Sequence, residues 1–222
     1  LFMKKVLVIA PHPDDETLGL GGTIKIHSLR GSKVYVLNFA DGESARNKSM
    51  KNILKRKKQA EKAAAILGIK ETQFLDYEDQ KLDTVPVLEL SKHIESAIKK
   101  WNPSIIYTHF WGDVNQDHRI LFEATIIATR PTPNSKIKKI ICYETPSSTE
   151  WGYQQFNPNY FIDISKVKKI KIKAFKQYKN EIKNFPHPRS EESIISRSNY
   201  WGSSVGIKNA EAFFILRSII RN

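Results

Sequence analysis

The apolar residues of this chain fall into short unbroken runs, separated by longer stretches in which apolar and charged positions recur with helical spacing. Residues 6–9, Val-Leu-Val-Ile, form the first run. A run without polar interruption reads as a strand covered on both faces, because a half-exposed strand would alternate. Runs at 33–39, 72–75, 105–108 and 140–143 predict further strands, and shorter ones at 160–162 and 212–216 predict two late ones. Helical spacing predicts helices over 23–29, ending at Gly31, and over 49–67, closed by Gly68. It predicts others over 84–101, 118–129, 166–178 and 191–200. In the 84–101 helix, Val85, Leu88, Ile94 and Ile98 are expected to share the buried face.

Strands alternating with helices predict a mostly parallel sheet with helices on both faces, a Rossmann-like α/β fold. After residue 146 the alternation loosens, and Phe185-Pro186-His187-Pro188-Arg189-Ser190 reads as a rigid loop. The chain holds no internal repeat, low-complexity tract or long linker. Residues 1–222 are therefore expected to form a single domain, with the C-terminal third as a cap on it.

Composition narrows the class. A hydrophobic content of 40% with 27% charged residues describes a globular protein. The single cysteine, Cys142, lies in an apolar run, so no disulfide forms within the chain, which fits a reducing compartment. The apolar run after Met3-Lys4-Lys5 is too short for a signal peptide, and no segment spans a membrane, so a cytoplasmic location is expected. The net charge of +13 points to an anionic carrier or membrane surface, or simply to solvated lysine faces. Much of it lies in two lysine-rich stretches read as helices, 48–62 and 166–183. No aromatic residue interleaves the lysines of the first, so no nucleic acid is expected.

The chemistry concentrates directly after the first strand, in Pro11-His12-Pro13-Asp14-Asp15-Glu16. In open α/β sheets the carboxyl ends of strands are where ligands bind. Three carboxylates and an imidazole are costly to hold together, and a divalent cation removes that cost. A solvated turn is the competing reading. The two prolines, and the position directly after a core strand, argue against it. A second constellation, Gly112-Asp113-Val114-Asn115-Gln116-Asp117-His118, follows the 105–108 strand. If these two strands are neighbours, His12, Asp15 and His118 form a two-histidine, one-carboxylate set. Three protein ligands suit a catalytic rather than a structural zinc. Which of Asp14 and Asp15 is ligand, and which is base, the residues alone leave open.

The first motif, the later Asp117-His118, and Arg56 twelve residues before Gly68 resemble the PIG-L / LmbE-like family of zinc-dependent N-deacetylases. Segments 112–115, 187–190 and 202–214 resemble a bacterial branch of it. The resemblance implies Zn2+ on His12, Asp15 and His118, with Asp14 as general base. It also implies that Arg56 reaches towards the substrate and that Asp117 is an orienting carboxylate. One position departs: many members carry a histidine where Asn115 stands. An asparagine can donate a hydrogen bond to an oxyanion but cannot supply a proton. Asp14 is therefore expected to act as both base and acid, with His187 and His109 as alternative donors. Arg46 and Arg189 are further substrate-binding candidates, and Trp111 and Tyr153 are candidates to pack on a sugar ring.

The resemblance implies removal of an acetyl group from an N-acetylated amino sugar, and the charge points to one linked to a nucleotide or lipid carrier. Alternatives are a small thiol precursor, a free chitooligosaccharide, or a basic binding protein without catalysis. The Gly19-x-Gly21-Gly22 run does not bind NAD: the final glycine of that fingerprint is Ile24, and the acids before it would repel a pyrophosphate.

Overall fold

A computed structural model describes residues 4–46 and 49–220. Its centre is β1 (Lys5–Ala10), which alternates its side chains between two cores. Val6, Val8 and Ala10 enter one core, and Leu7 and Ile9 enter the other. The unbroken apolar run is thus explained, because helices cover both faces. The remaining strands are β2 (Lys33–Ala40), β3 (Glu71–Tyr77), β4 (Ile105–His109), β5 (Lys139–Tyr143), β6 (Tyr160–Asp163) and β7 (Ala210–Ser218). Their order in the sheet is β3-β2-β1-β4-β5-β7-β6. The first five in that order run parallel, while β7 is antiparallel to both β5 and β6.

The helices are α1 (Asp15–Leu29), α2 (Met50–Leu67), α3 (Val87–Trp101), α4 (Gln116–Ala128), α5 (Lys168–Phe175) and α6 (Glu191–Ser203). The first core draws on α1, α2 and α5, and the second on α3 and α4. The α/β architecture with helices on both faces is as the pattern predicts. The chain builds β1, β2 and β3 outward on one side, then returns to lay β4 and β5 on the other. The order reverses between β1 and β4, which pair directly, Val6 opposite Ile105. Their carboxyl ends are therefore neighbours, and ligands of such folds bind at this switch point.

Several boundaries differ from the pattern, each for a local reason. Helix α1 begins at Asp15 and not at residue 23, with non-helical angles at Leu20. Its aspartate and glycines are poor helix formers, but Asp15 and Glu16 suit the positive end of the helix dipole. The glycines let α1 press on the sheet: a Cβ at Gly19 would lie 2.4 Å from the Tyr143 ring and 2.7 Å from the Glu144 carbonyl oxygen. Gly19→Ala should cost about 1–3 kcal/mol in urea unfolding with unchanged m-value.

In α3 the buried face is Leu90, Ile94, Ala97 and Trp101. Leu88 is 59% exposed, a correction to its expected place on that face. It stands about 200° around the helix from Leu90, at 100° per residue. Of the lysine-rich stretches, Lys48 lies outside the described residues, and the second is helical only over α5. One of its lysines, Lys171, turns inward to pair with Glu211 at 2.6 Å. The C-terminal third does more than cap: β7 and β6 extend the sheet, α5 packs on α1 and α2, and residues 176–190 bring side chains to the switch point. Cys142 is buried, and burial pushes its thiol up to about 12. Among the described residues no helix is long and apolar enough to cross a membrane.

Candidate active site

The turn from β1 into α1 is made by a strained residue. Asp14 has φ 144° and ψ −25°, a backbone region that residues with a Cβ rarely adopt. The surroundings impose it. The Asp14 carbonyl accepts from Thr17 N at 3.0 Å and Leu18 N at 2.9 Å, and Pro11 O ties the turn to β2 through Ala40 N at 2.8 Å. The result aims four polar side chains in different directions within one turn.

His12, Asp15 and His118 converge. Their donor atoms lie within 4.8 Å of one another, and all three residues are buried. Asp15 Oδ2 is 3.2 Å from His12 Nδ1 and 3.4 Å from His118 Nε2, and Asp15 Oδ1 has no hydrogen-bond partner. The far nitrogens of both imidazoles also face carboxylates. His12 Nε2 is 3.1 Å from Asp117 and 3.0 Å from Asp79. His118 Nδ1 is 3.1 Å from Asp113, an ion-pair contact without hydrogen-bond geometry. A metal-binding imidazole needs this second contact to fix its ring. Burial opposes charge on both rings, yet Asp117, Asp15 and Asp79 hold His12 well above the usual imidazole range, and Asp113 and Asp15 lift His118 to about 9. Such a surplus of negative charge suits a divalent cation, and an N2O donor set with an orphaned carboxylate oxygen fits one. His12, Asp79 and Asp117 form a second possible set, but it shares His12 and has one imidazole rather than two.

Asp14 points away from this set. Its Oδ2 accepts from Arg56 Nη1 at 3.2 Å and Arg189 Nη1 at 3.1 Å. Burial raises its carboxyl to about 7, against the pull of Arg189 and Arg56. Both arginines also bind Glu181, which is buried after α5 and takes a third guanidinium, Arg46, at 2.8 Å. Arg56 donates its Nε to Glu43 at 2.9 Å. Asp14, Glu181 and the three arginines line a cavity of about 90 Å3 together with His12, His118, Asp79, Asn115, Gln80 and Ser147.

The family model of PIG-L, described as GlcNAc-PI de-N-acetylase, matches residues 7–129, which span β1 through α4 and hold both halves of the His/Asp cluster. The chain belongs to the PIG-L deacetylase family. It is 29% identical over 220 residues to diacetylchitobiose deacetylase of Thermococcus kodakarensis, covering 94% of this chain and 82% of that one. It is 30% identical over 143 residues to a probable N-acetyl-alpha-D-glucosaminyl L-malate deacetylase 2 of Bacillus anthracis, covering 60% of this chain and 62% of that one. The crystallised N,N'-diacetylchitobiose deacetylase of Pyrococcus horikoshii superposes with a TM-score of 0.79 at 26% identity, over 97% of this chain and 85% of that one.

In this PIG-L chain the structure gathers most of the residues that sequence reasoning singled out, but some take up different contacts. Arg56 is buried, lines the cavity from α2, and its donors are taken by Asp14, Glu43, Glu181 and Pro13 O, so it also holds Asp14. Asp117 faces His12, while Gln80 N and Leu82 N donate to it at 2.9 and 3.1 Å. Asn115 caps α4: its Oδ1 accepts from Asp117 N at 2.9 Å, which leaves its amide NH2 as the polar group it can offer the cavity. His109, at the end of β4, is fully buried, with its ring centroid 4.0 Å from that of His118 and Nε2 on Thr145 Oγ1 at 2.9 Å. His187 is not brought in; its Nδ1 accepts from Arg189 N at 3.0 Å. Trp111 packs among Phe110, Phe122 and Phe214, and Tyr153 stands in solvent.

The sequence pattern gives no role to Asp79, Asp113 or Glu181. Asp113 lies in the 112–118 segment, where its spacing from His118 is the available signal. It is clamped by Ser148 Oγ, Thr149 Oγ1 at 2.7 Å and Asn115 N at 2.8 Å. Burial opposes its charge, but His118 holds its carboxyl down to about 2. Asp113→Asn should weaken metal affinity by about 10- to 100-fold. Competition against a chromophoric chelator measures this, and an unchanged affinity would remove Asp113 from the ring-fixing set.

Proposed function

We propose that this PIG-L family member removes the acetyl group from an N-acetylated amino sugar, with zinc as its ion. The observation that carries the reading is Asp14: a carboxylate beside the His12, Asp15 and His118 set, outside it, and open to the same cavity. Amide hydrolysis needs an activated water, support for the oxyanion and a proton for the leaving amine. His12, Asp15 and His118 would hold the ion. Zinc, when bound, polarises the carbonyl and brings the pKa of a ligating water down to about 7. Asp14 takes the proton of the attacking water and returns it to the amine nitrogen. Arg56 and Arg189 fix its carboxylate. Asn115 offers its amide NH2 to the developing oxyanion. Asp79 and Asp117 hold the ring of His12, and Asp113 holds that of His118.

The cavity, about 90 Å3, is small and lined mostly by polar side chains. It takes an acetamido group and leaves the sugar ring at the mouth. Arg46, Arg56 and Arg189 already meet Glu181, so the cavity offers an anionic carrier no unengaged guanidinium. A short uncharged chitooligosaccharide, the kind of substrate for which the archaeal relatives are named, fits this balance best. A phosphate-linked or malate-linked sugar draws support from the net charge of +13 and from the Bacillus relative's name, not from the cavity.

Dialysis against a chelator should abolish amine release from N,N'-diacetylchitobiose, and Zn2+ should restore it. The same assay on free, malate-linked and nucleotide-linked N-acetyl sugars ranks the substrates. Full activity in the chelated protein, or no amine release from any of these sugars, would sink the reading.

A further inference from the structure

A second cavity, of about 150 Å3, lies at the end of the sheet opposite the active site. It sits between the last turns of α1 and the strands β4, β5 and β6. Its floor is apolar, formed by Ile105, Tyr107, Ile141 and Ile162. Its charged lining is Lys4, Arg30 and Lys139, with no carboxylate. In the active site every arginine meets an acid; here none of the three cations does among the described residues. Lys139 Nζ sits over the Tyr160 ring at 5.5 Å.

Capping of α1 does not occupy these cations. The carbonyls at its C-terminal end are taken by backbone donors: Ile26 O by Arg30 N, His27 O by Ser32 N and Ser28 O by Gly31 N. Thr23, His27 and Ser32 add polar side chains to the lining. His27 Nε2 meets the Tyr107 hydroxyl at 3.1 Å, and Thr23 Oγ1, fully buried, has no hydrogen-bond partner. Three like charges, exposed at Lys4 and Arg30 and half-buried at Lys139, rim an apolar floor with no acid among them.

We propose that this cavity binds a small organic oxyanion, with Lys4, Arg30 and Lys139 around the anionic head and a compact apolar body on the isoleucine floor. At about 150 Å3 the cavity admits a compact organic carboxylate but not a nucleotide. His27 reports on occupancy. Burial, with Lys4 and Arg30 beside it, holds its imidazole down to about 4. The charged and titratable groups that face it are Lys4, Arg30 and Tyr107, with Lys139 and Tyr160 across the cavity. A bound anion offsets the two cations and so raises the His27 pKa.

The test titrates the metal-loaded protein at low salt with benzoate and, separately, with inorganic phosphate. The His27 ring resonances, assigned with His27→Gln, are followed by NMR. A saturable shift with benzoate is expected, with the His27 pKa raised by about one unit or more. Binding should be about tenfold weaker in Arg30→Gln/Lys139→Gln, whose amine release should equal that of the parent. Saturable binding of phosphate but not benzoate would overturn the organic ligand. No saturable response to either probe, or equal affinity in the double variant, would overturn the site altogether.

Discussion

Asp14→Asn is expected to lower kcat for amine release by about 10²- to 10⁴-fold with little change in bound metal. The substitution keeps the side chain's shape but removes its capacity to carry a proton. Metal content should survive because the donors that converge belong to His12, Asp15 and His118, while Asp14 Oδ2 is turned to Arg56 and Arg189. The other acids of the cavity are engaged elsewhere: Asp79 faces His12 Nε2, and Glu181 takes three guanidiniums. Asn115 carries an amide, His109 is buried against Thr145 and His118, and His187 lies outside the cavity lining. Zinc stoichiometry and steady-state kinetics on the same preparation decide it. Turnover within about threefold of the parent would remove Asp14 as the proton carrier, and loss of metal would make it a ligand instead.

The second large effect is on stability. Arg56→Met should cost about 3–5 kcal/mol, because it strips a buried cation from a cluster of buried acids. Arg46 and Arg189 remain on Glu181, and Arg189 remains on Asp14, but the Arg56 bond to Glu43 has no replacement. The double variant with Glu43→Gln should recover part of the loss, since the carboxylate left unpaired is then neutral. Urea unfolding of the parent, the two single variants and the double variant closes the cycle. A loss below about 1 kcal/mol for Arg56→Met would show the cluster to be solvated rather than buried.

The strand cores were legible because a doubly covered strand must be apolar throughout, and little else in a sequence looks like Val6 to Ile9. The polar turn holding His12, Asp14 and Asp15 was legible because its charges cluster directly after a core strand, but the choice of Asp15 over Asp14 as ligand came only from the family resemblance. His118 needed more: its approach depends on β1 and β4 being neighbours, which only the family resemblance implied. Beyond that reach, legibility failed in a consistent way. Asp79 and Glu181 come from irregular segments with no periodicity, and Glu181 lies in a lysine-rich stretch that reads as a solvated face. Both are functional in appearance only once long-range contacts place them against His12 and the arginines. The start of α1 was missed for the opposite reason. Local propensity speaks against a helix at Asp15, and packing on Tyr143 overrules it.

The antiparallel insertion of β7 sets an order of events on the ribosome. Strand β6 pairs with β7 and lies beside no other strand, so Tyr160 to Asp163 must wait, unpaired, until Ala210 and its successors have been synthesised. Glu181 and Arg189 leave the ribosome in that same interval. A nascent chain truncated before β7 would therefore carry every expected metal donor while its sheet ended at β5, with a sticky edge exposed to other chains.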